Sequence, residues 1–151
     1  MTENTYLLGI DFGTESVRAA IFDLAGHPVS FAATTYRTTH PHPGWAEQDP
    51  EEWWEALQAS CRKVIAASGV SPAAIKGISY DATTMTVVAM DKRGEALRPA
   101  IMWMDVRATE QAARAEKSDS VARLYNGRGT APATAEWYPF KAAWLRENER
   151  E

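Results

Sequence analysis

In the stretch 7–23, two apolar runs flank a short polar segment. Residues 6–10 are apolar and lead into Asp11, and residues 17–22 alternate between the two faces expected of a strand. Apolar runs of this length and period predict β-strands, and the short segment between them predicts a hairpin turn. The sequence therefore predicts two antiparallel strands at the start of the chain.

The predicted turn has the composition of an anion site. Asp11, Gly13, Thr14 and Ser16 give it a carboxylate, two hydroxyls and a glycine that lets a ligand approach the backbone closely. Successive backbone N–H groups in a turn can hold a phosphate, and a carboxylate can hold Mg²⁺ through water. An ordinary hairpin turn with no ligand has the same composition, so the turn alone leaves both interpretations open.

A resemblance extends this interpretation. Residues 9–18, Gly-Ile-Asp-Phe-Gly-Thr-Glu-Ser-Val-Arg, resemble the first phosphate motif of the FGGY carbohydrate kinases, which belong to the actin, Hsp70 and sugar-kinase group of ATPases. Residues 44–50, 77–84 and 103–107 also resemble segments of these sugar kinases, in the family's order. Because the family's enzymes are much longer, the resemblance implies that residues 1–151 are the N-terminal part of the FGGY N-terminal domain. The remainder of that domain and the C-terminal domain would then be absent.

The resemblance also implies site residues on the phosphate side. It assigns Asp11 to Mg²⁺ as well as to the nucleotide. The alternation of the second strand leaves Arg18 free to reach the ligand or to lie on a solvated face of the sheet. The implied phosphate and ATP residues are Asp11, Gly13, Thr14, Ser16 and Arg18.

On the sugar side, residues 81–84 lack both the arginine–glutamate pair of glycerol-kinase-like members and the methionine–histidine pair of xylulose kinases. This segment is most similar to the ribulokinase branch, whose substrates are pentuloses. The Trp103 ring would suit the C–H face of a polyol, although core packing explains a tryptophan equally simply. The implied substrate residues are Asp81, Ala82, Thr83, Trp103 and Asp105.

The function that the resemblance implies is ATP-dependent phosphorylation of a sugar, a pentulose such as ribulose, with ATP and Mg²⁺ as cofactors. The family's catalytic base lies beyond residue 151, so no catalytic residue is assigned and the chain alone is expected to be inactive. One alternative is an actin- or Hsp70-like ATPase that acts on a protein partner. Another is a non-catalytic sugar-binding module. A homodimer is one possible state of the full-length protein.

Composition restricts the class of partner. The chain has 151 residues, of which 45% are hydrophobic, enough for one core. Its net charge of −4 argues against a nucleic-acid partner, because nucleic-acid-binding modules generally carry a basic patch. Cys61 is the single cysteine, the first residues do not resemble a signal peptide, and no apolar run reaches the roughly 20 residues that span a bilayer. We therefore expect a soluble cytoplasmic protein that binds small molecules and no membrane.

The remaining pattern predicts an α/β fold. A third antiparallel strand is expected over residues 29–35, a helix from Pro50 to about Ser68 capped by Asp49, and strands over 75–80, 86–90 and 100–104. Helices are expected over residues 106–117, capped by Asp105, over 120–126, and after residue 139. The resemblance narrows this to a ribonuclease H-like half-domain of the actin, hexokinase and Hsp70 type, with a mixed sheet whose first three strands are antiparallel.

Overall fold

The computed structural model describes residues 5–118 and 132–149. These residues form two compact units. The first comprises the described residues up to Arg37 together with Asp49–Thr83, and the second comprises Thr38–Gln48 and the described residues from Thr84 onward. Residues 119–131, which include the helix predicted over 120–126, lie outside the described ranges. Within those ranges, no helix is both long and apolar enough to cross a bilayer.

The first unit is built on a four-stranded mixed sheet. Its strands are β1 (Tyr6–Phe12), β2 (Ser16–Asp23), β3 (Pro28–Thr35) and β5 (Ile75–Ala82), in the spatial order β3-β2-β1-β5. The pairs β1–β2 and β2–β3 are antiparallel, and β1–β5 is parallel. The predicted antiparallel meander is therefore confirmed. The fifth strand extends two residues beyond its predicted end, so Asp81 and Ala82 belong to the strand rather than to the turn expected at 81–84.

Helix α1 (Pro50–Ser68) packs on this sheet, and both of its ends follow the prediction. The Asp49 carboxylate accepts a hydrogen bond of 3.0 Å from the Glu51 N–H, and Gly69 closes the helix with a φ of 66°. The buried positions are Ala56, Ser60 and Val64, spaced four residues apart. Val64 joins a core of buried sheet residues, namely Leu8, Ala19 and Ile21.

One prediction about this helix was wrong. The helical spacing of Trp54 with Leu57, Cys61, Val64 and Ile65 predicts that Trp54 lies on the packing face, whereas the structure leaves it 57% exposed. Trp54 precedes Ala56 by two positions, which places it about 200° away around a helix of 3.6 residues per turn. Small residues form the contact line instead. The Ser60 hydroxyl, for example, lies 2.9 Å from the Thr34 hydroxyl of β3 and donates to it.

The second unit contains short strands β4 (Glu47–Gln48) and β6 (Ala100–Ile101), which pair antiparallel, and helices α2 (Thr109–Glu116) and α3 (Tyr138–Asn148). The strand predicted over residues 86–90 is absent, because only single bridges form there, at Val87 and Met90. Met85, the residue just before this predicted strand, has a positive φ of 63°. Helix α2 begins at Thr109, three residues later than predicted, and Asp105 does not cap it.

Candidate functional site

The predicted phosphate turn is the tight connection between β1 and β2. The Gly13 N–H donates to the Ser16 carbonyl at 3.0 Å, which closes the hairpin. Asp11 is opposite Arg18 in the register of the two strands, and the Arg18 Nε lies 3.3 Å from the Asp11 carboxylate. A Cβ atom built on Gly13 would overlap the Arg18 guanidinium. Arg18 therefore extends over the turn, and only a glycine leaves room for it there.

Tyr36 supports this turn from the end of β3. Its hydroxyl donates to the Gly13 carbonyl, and its backbone N–H donates to the Glu15 carbonyl at 3.2 Å. Its ring meets the Trp53 ring edge-on, with 6.5 Å between centroids. Burial raises the pKa of Tyr36 to about 12, and the nearby Asp11 carboxylate adds to the rise. The phenol therefore stays protonated and remains a donor throughout the physiological pH range.

The parallel pairing of β1 with β5 places a second carboxylate beside the turn. Asp81 is the register partner of Asp11, so Arg18, Asp11 and Asp81 form a row across three adjacent strands. Residues opposite each other on neighbouring strands share a face of the sheet. Just beyond this row, the Thr83 N–H donates to the Phe12 carbonyl at 3.2 Å and joins the ends of β1 and β5. The predicted phosphate residues and the predicted sugar residues of β5 are thus neighbours.

The charges of this row fit a divalent cation. Two carboxylates, one of them paired with Arg18, leave an excess of negative charge beside the turn, and this would repel a polyphosphate unless a cation neutralised it. Mg²⁺ is commonly held by one or two carboxylates together with substrate phosphates and water. Among the described residues, no three His, Cys, Asp or Glu side chains are grouped for a metal.

The two remaining predicted sugar residues lie in the second unit. Trp103 follows β6 and is 41% exposed, whereas Asp105 is fully buried. The Asp105 carboxylate accepts from the Ala46 N–H at 2.7 Å and from the Arg107 side chain at 2.9 and 2.8 Å. Its physical role here is to join residues 44–47 to residues 105–107. A direct sugar contact by Asp105 stays a prediction, and burial of its side chain disfavours it.

Arg107 is the centre of that buried cluster. Its guanidinium, which has no exposed surface, also donates to Glu47 at 2.7 Å and lies 3.7 Å from the centre of the Trp45 ring. Arg98 forms a second ion pair with Glu47. The cluster explains why residues 44–50 and 103–107 stand out together in the sequence, since each segment supplies partners for the other.

Comparisons with known proteins identify the family. The sequence profile of the N-terminal domain of the FGGY family of carbohydrate kinases matches residues 6–151. The chain belongs to the FGGY family of carbohydrate kinases. It is 31% identical to a xylulose kinase of Staphylococcus epidermidis over 96% of this chain and 28% of that protein. It is 32% identical to a glycerol kinase of Variovorax paradoxus over 95% of this chain and 29% of that protein.

The structural comparison agrees. The crystal structure of a xyloylose kinase from Brucella ovis superposes with a TM-score of 0.89 and 32% identity, over 96% of this chain and 30% of that one. The actin- and hexokinase-like ATPase fold with antiparallel first strands is thereby confirmed. The chain spans less than a third of the length of each of these relatives.

One residue and one strand pairing described above were missed by sequence reasoning. Tyr36 lies after a strand with no motif around it, and only the three-dimensional pairing of β2 and β3 brings it to the turn. The Asp11–Asp81 pairing was also not predicted, because it joins strands separated by about sixty residues of chain. The residue-by-residue ligand assignments stay predictions.

Proposed function

We propose that this chain is the N-terminal part of a longer kinase that transfers the γ-phosphoryl group of ATP to a hydroxyl of a sugar, with a pentulose as substrate. The observation that carries the proposal is the row Arg18–Asp11–Asp81, which joins the predicted phosphate turn to the predicted sugar strand within one sheet. Membership of a carbohydrate kinase family supports the reaction class.

In this proposal, the residues of the turn act by binding and orientation. Phosphoryl transfer depends chiefly on holding the donor and acceptor in line and on neutralising charge. The backbone around Gly13 and the hydroxyls of Thr14 and Ser16 would bind phosphate oxygens, and Arg18 would add a cation. Asp11 and Asp81 would hold Mg²⁺ through water, and the bound ion would neutralise charge on the phosphates.

The substrate class rests on a separate observation. Residues 81–84 carry neither of the paired motifs described above for glycerol- and xylulose-kinase-like members, and their resemblance to the ribulokinase branch favours a pentulose. The relatives include both a xylulose kinase and a glycerol kinase, so a test must compare ketoses with polyols. We propose a pentulose, with ribulose as the first candidate.

The test is ADP release by the full-length gene product, measured across ribulose, xylulose, ribitol, glycerol and gluconate. A response that is at least tenfold larger with one pentulose than with glycerol is the expected result. Equal rates with and without every sugar would contradict the kinase proposal. ATP hydrolysis stimulated by a peptide instead would favour the actin- or Hsp70-like alternative. The 151-residue chain alone is expected to show no turnover.

A further inference from the structure

Lys141 is a lysine whose side chain has no exposed surface. It lies in the first turn of α3, and its Nζ donates to the carbonyls of Met85, Met102 and Trp103 at 3.0, 2.7 and 3.0 Å. An ammonium group has three N–H donors and no acceptor, so these three carbonyls use its whole hydrogen-bonding capacity. The side chain therefore joins the helix to two separate segments of backbone.

Both of those segments adjoin predicted sugar residues. Met102 and Trp103 form the start of a turn in which the Asp105 N–H donates to the Met102 carbonyl at 3.1 Å. Met85 directly follows Thr84, the last residue of the segment 81–84. Its φ of 63° is a left-handed conformation that a non-glycine residue keeps only where the surroundings impose it. The hydrogen bond from Lys141 to the Met85 carbonyl is one such constraint.

Resting on the proposed sugar kinase function, we propose that Lys141 is a positioning residue for the sugar side of the site. Its ammonium fixes the backbone of Trp103 and thereby sets the direction of the indole, which is the group predicted to pack on the C–H face of the sugar. Its hydrogen bond to the Met85 carbonyl fixes the backbone of that residue in the same way. Lys141 itself does not touch the sugar in this proposal, because it has no exposed surface.

Burial of the ammonium gives the proposal a measurable signature. Desolvation lowers the pKa of Lys141 to about 8, opposed by the charges of Asp105 and Glu136 and reinforced by that of Arg107. The neutral amine has one donor fewer than the ammonium. Loss of a proton near pH 8 therefore weakens the hold on at least one of the three carbonyls, and the surroundings of the Trp103 ring should change with it.

The test uses the full-length gene product labelled with 5-fluorotryptophan, with the ¹⁹F resonance of Trp103 assigned by Trp103→Phe. In the unsubstituted protein, the resonance should titrate with a midpoint near pH 8. In Lys141→Met, the resonance should move and the titration should disappear. The matched control is Lys92→Met, which removes an exposed lysine of the same unit and should leave the titration unchanged.

Kinetics give the second readout. Lys141→Met should raise KM for the accepted sugar at least tenfold and change KM for ATP less than twofold. A Trp103 resonance that neither titrates near pH 8 nor moves in Lys141→Met overturns the proposal, and so does an equal rise in both KM values. If no sugar is phosphorylated, the proposed function fails while the ¹⁹F titration still decides the positioning role. That titration is measured on the protein with Lys141 intact. It therefore still tests the positioning role in the event that the Lys141→Met variant does not fold.

Discussion

The buried cluster around Arg107 gives the sharpest prediction about stability. We expect Arg107→Leu to lower the free energy of unfolding by about 3–5 kcal/mol. The guanidinium donates to both oxygens of Asp105 and to Glu47 at 2.7–2.9 Å, and it stacks on the Trp45 ring. Leucine fills part of the space and can replace none of these hydrogen bonds.

The magnitude follows from what remains after the substitution. Asp105 is fully buried and Glu47 is 8% exposed, so both carboxylates would lose a cation in surroundings that solvate charge poorly. Removal of one partner of a buried ion pair typically costs 3–5 kcal/mol. Glu47 keeps Arg98, and Asp105 keeps the Ala46 N–H, which favours the lower end of this range. Because domains are stable by only about 5–15 kcal/mol, a loss of about 3 kcal/mol is a large fraction of the total.

Urea denaturation monitored by tryptophan fluorescence measures this change. Arg114→Leu is the matched control, because Arg114 lies in the same unit and pairs with Glu147 at 2.6 Å with 56% and 36% of the two side chains exposed. Exposed pairs contribute at most about 1 kcal/mol, so the control should lose no more than that. Equal losses in the two variants, or a loss below about 1 kcal/mol in Arg107→Leu, would show that the buried ion pairs of Arg107 do not stabilise the fold as expected.

Three further predictions concern the turn, the helix cap and the buried lysine. Gly13→Ala should displace the Arg18 guanidinium and raise KM for ATP at least tenfold in the full-length protein, while unfolding changes by less than about 1 kcal/mol because a flexible side-chain end can move aside. Asp49→Ala should lower the free energy of unfolding by about 1 kcal/mol through loss of the N-cap, as urea denaturation would show. Folding lowers the pKa of Lys141 from 10.5 to about 8, so between pH 8 and pH 10.5 the unfolded state binds more protons than the folded state. The free energy of unfolding of the unsubstituted protein, minus that of Lys141→Met, should therefore rise between pH 8 and 10.5 by up to about 1.4 kcal/mol per pH unit. If this difference stayed constant or fell with pH, the lowered pKa of the buried lysine would be contradicted.

Local signals account for the parts of the fold that the sequence predicts well. Strand alternation at residues 17–22, the Asp49 cap and the closing Gly69 act over a few residues each, so they can be read without knowledge of distant contacts. The predictions are wrong where contacts between residues far apart in the sequence determine the backbone conformation. The strand expected over residues 86–90 does not form, and the residue just before it, Met85, has a positive φ and a carbonyl that accepts a hydrogen bond from Lys141, more than fifty residues away in the chain.

The candidate site likewise has features that local sequence predicts and features that depend on distant strand pairing. Gly13 and Arg18 come from one hairpin, so their juxtaposition follows from the motif itself. The addition of Asp81 to the row depends on a parallel pairing that no local pattern encodes. Lys141 did leave a signal in the sequence, because it lies four residues after Trp137 and three residues before Trp144, the spacing of one face of a helix. A lysine at such a position is a candidate for a buried, fully bonded ammonium.

Product analysis with the full-length gene product, a pentulose and ATP labelled in the γ-phosphate distinguishes sugar phosphorylation from ATP hydrolysis. We expect the label to appear in a sugar phosphate and Asp11→Asn to slow this transfer at least a hundredfold, because the turn loses the carboxylate proposed to hold Mg²⁺. Label released only as inorganic phosphate, or transfer at an unchanged rate in Asp11→Asn, would contradict this expectation.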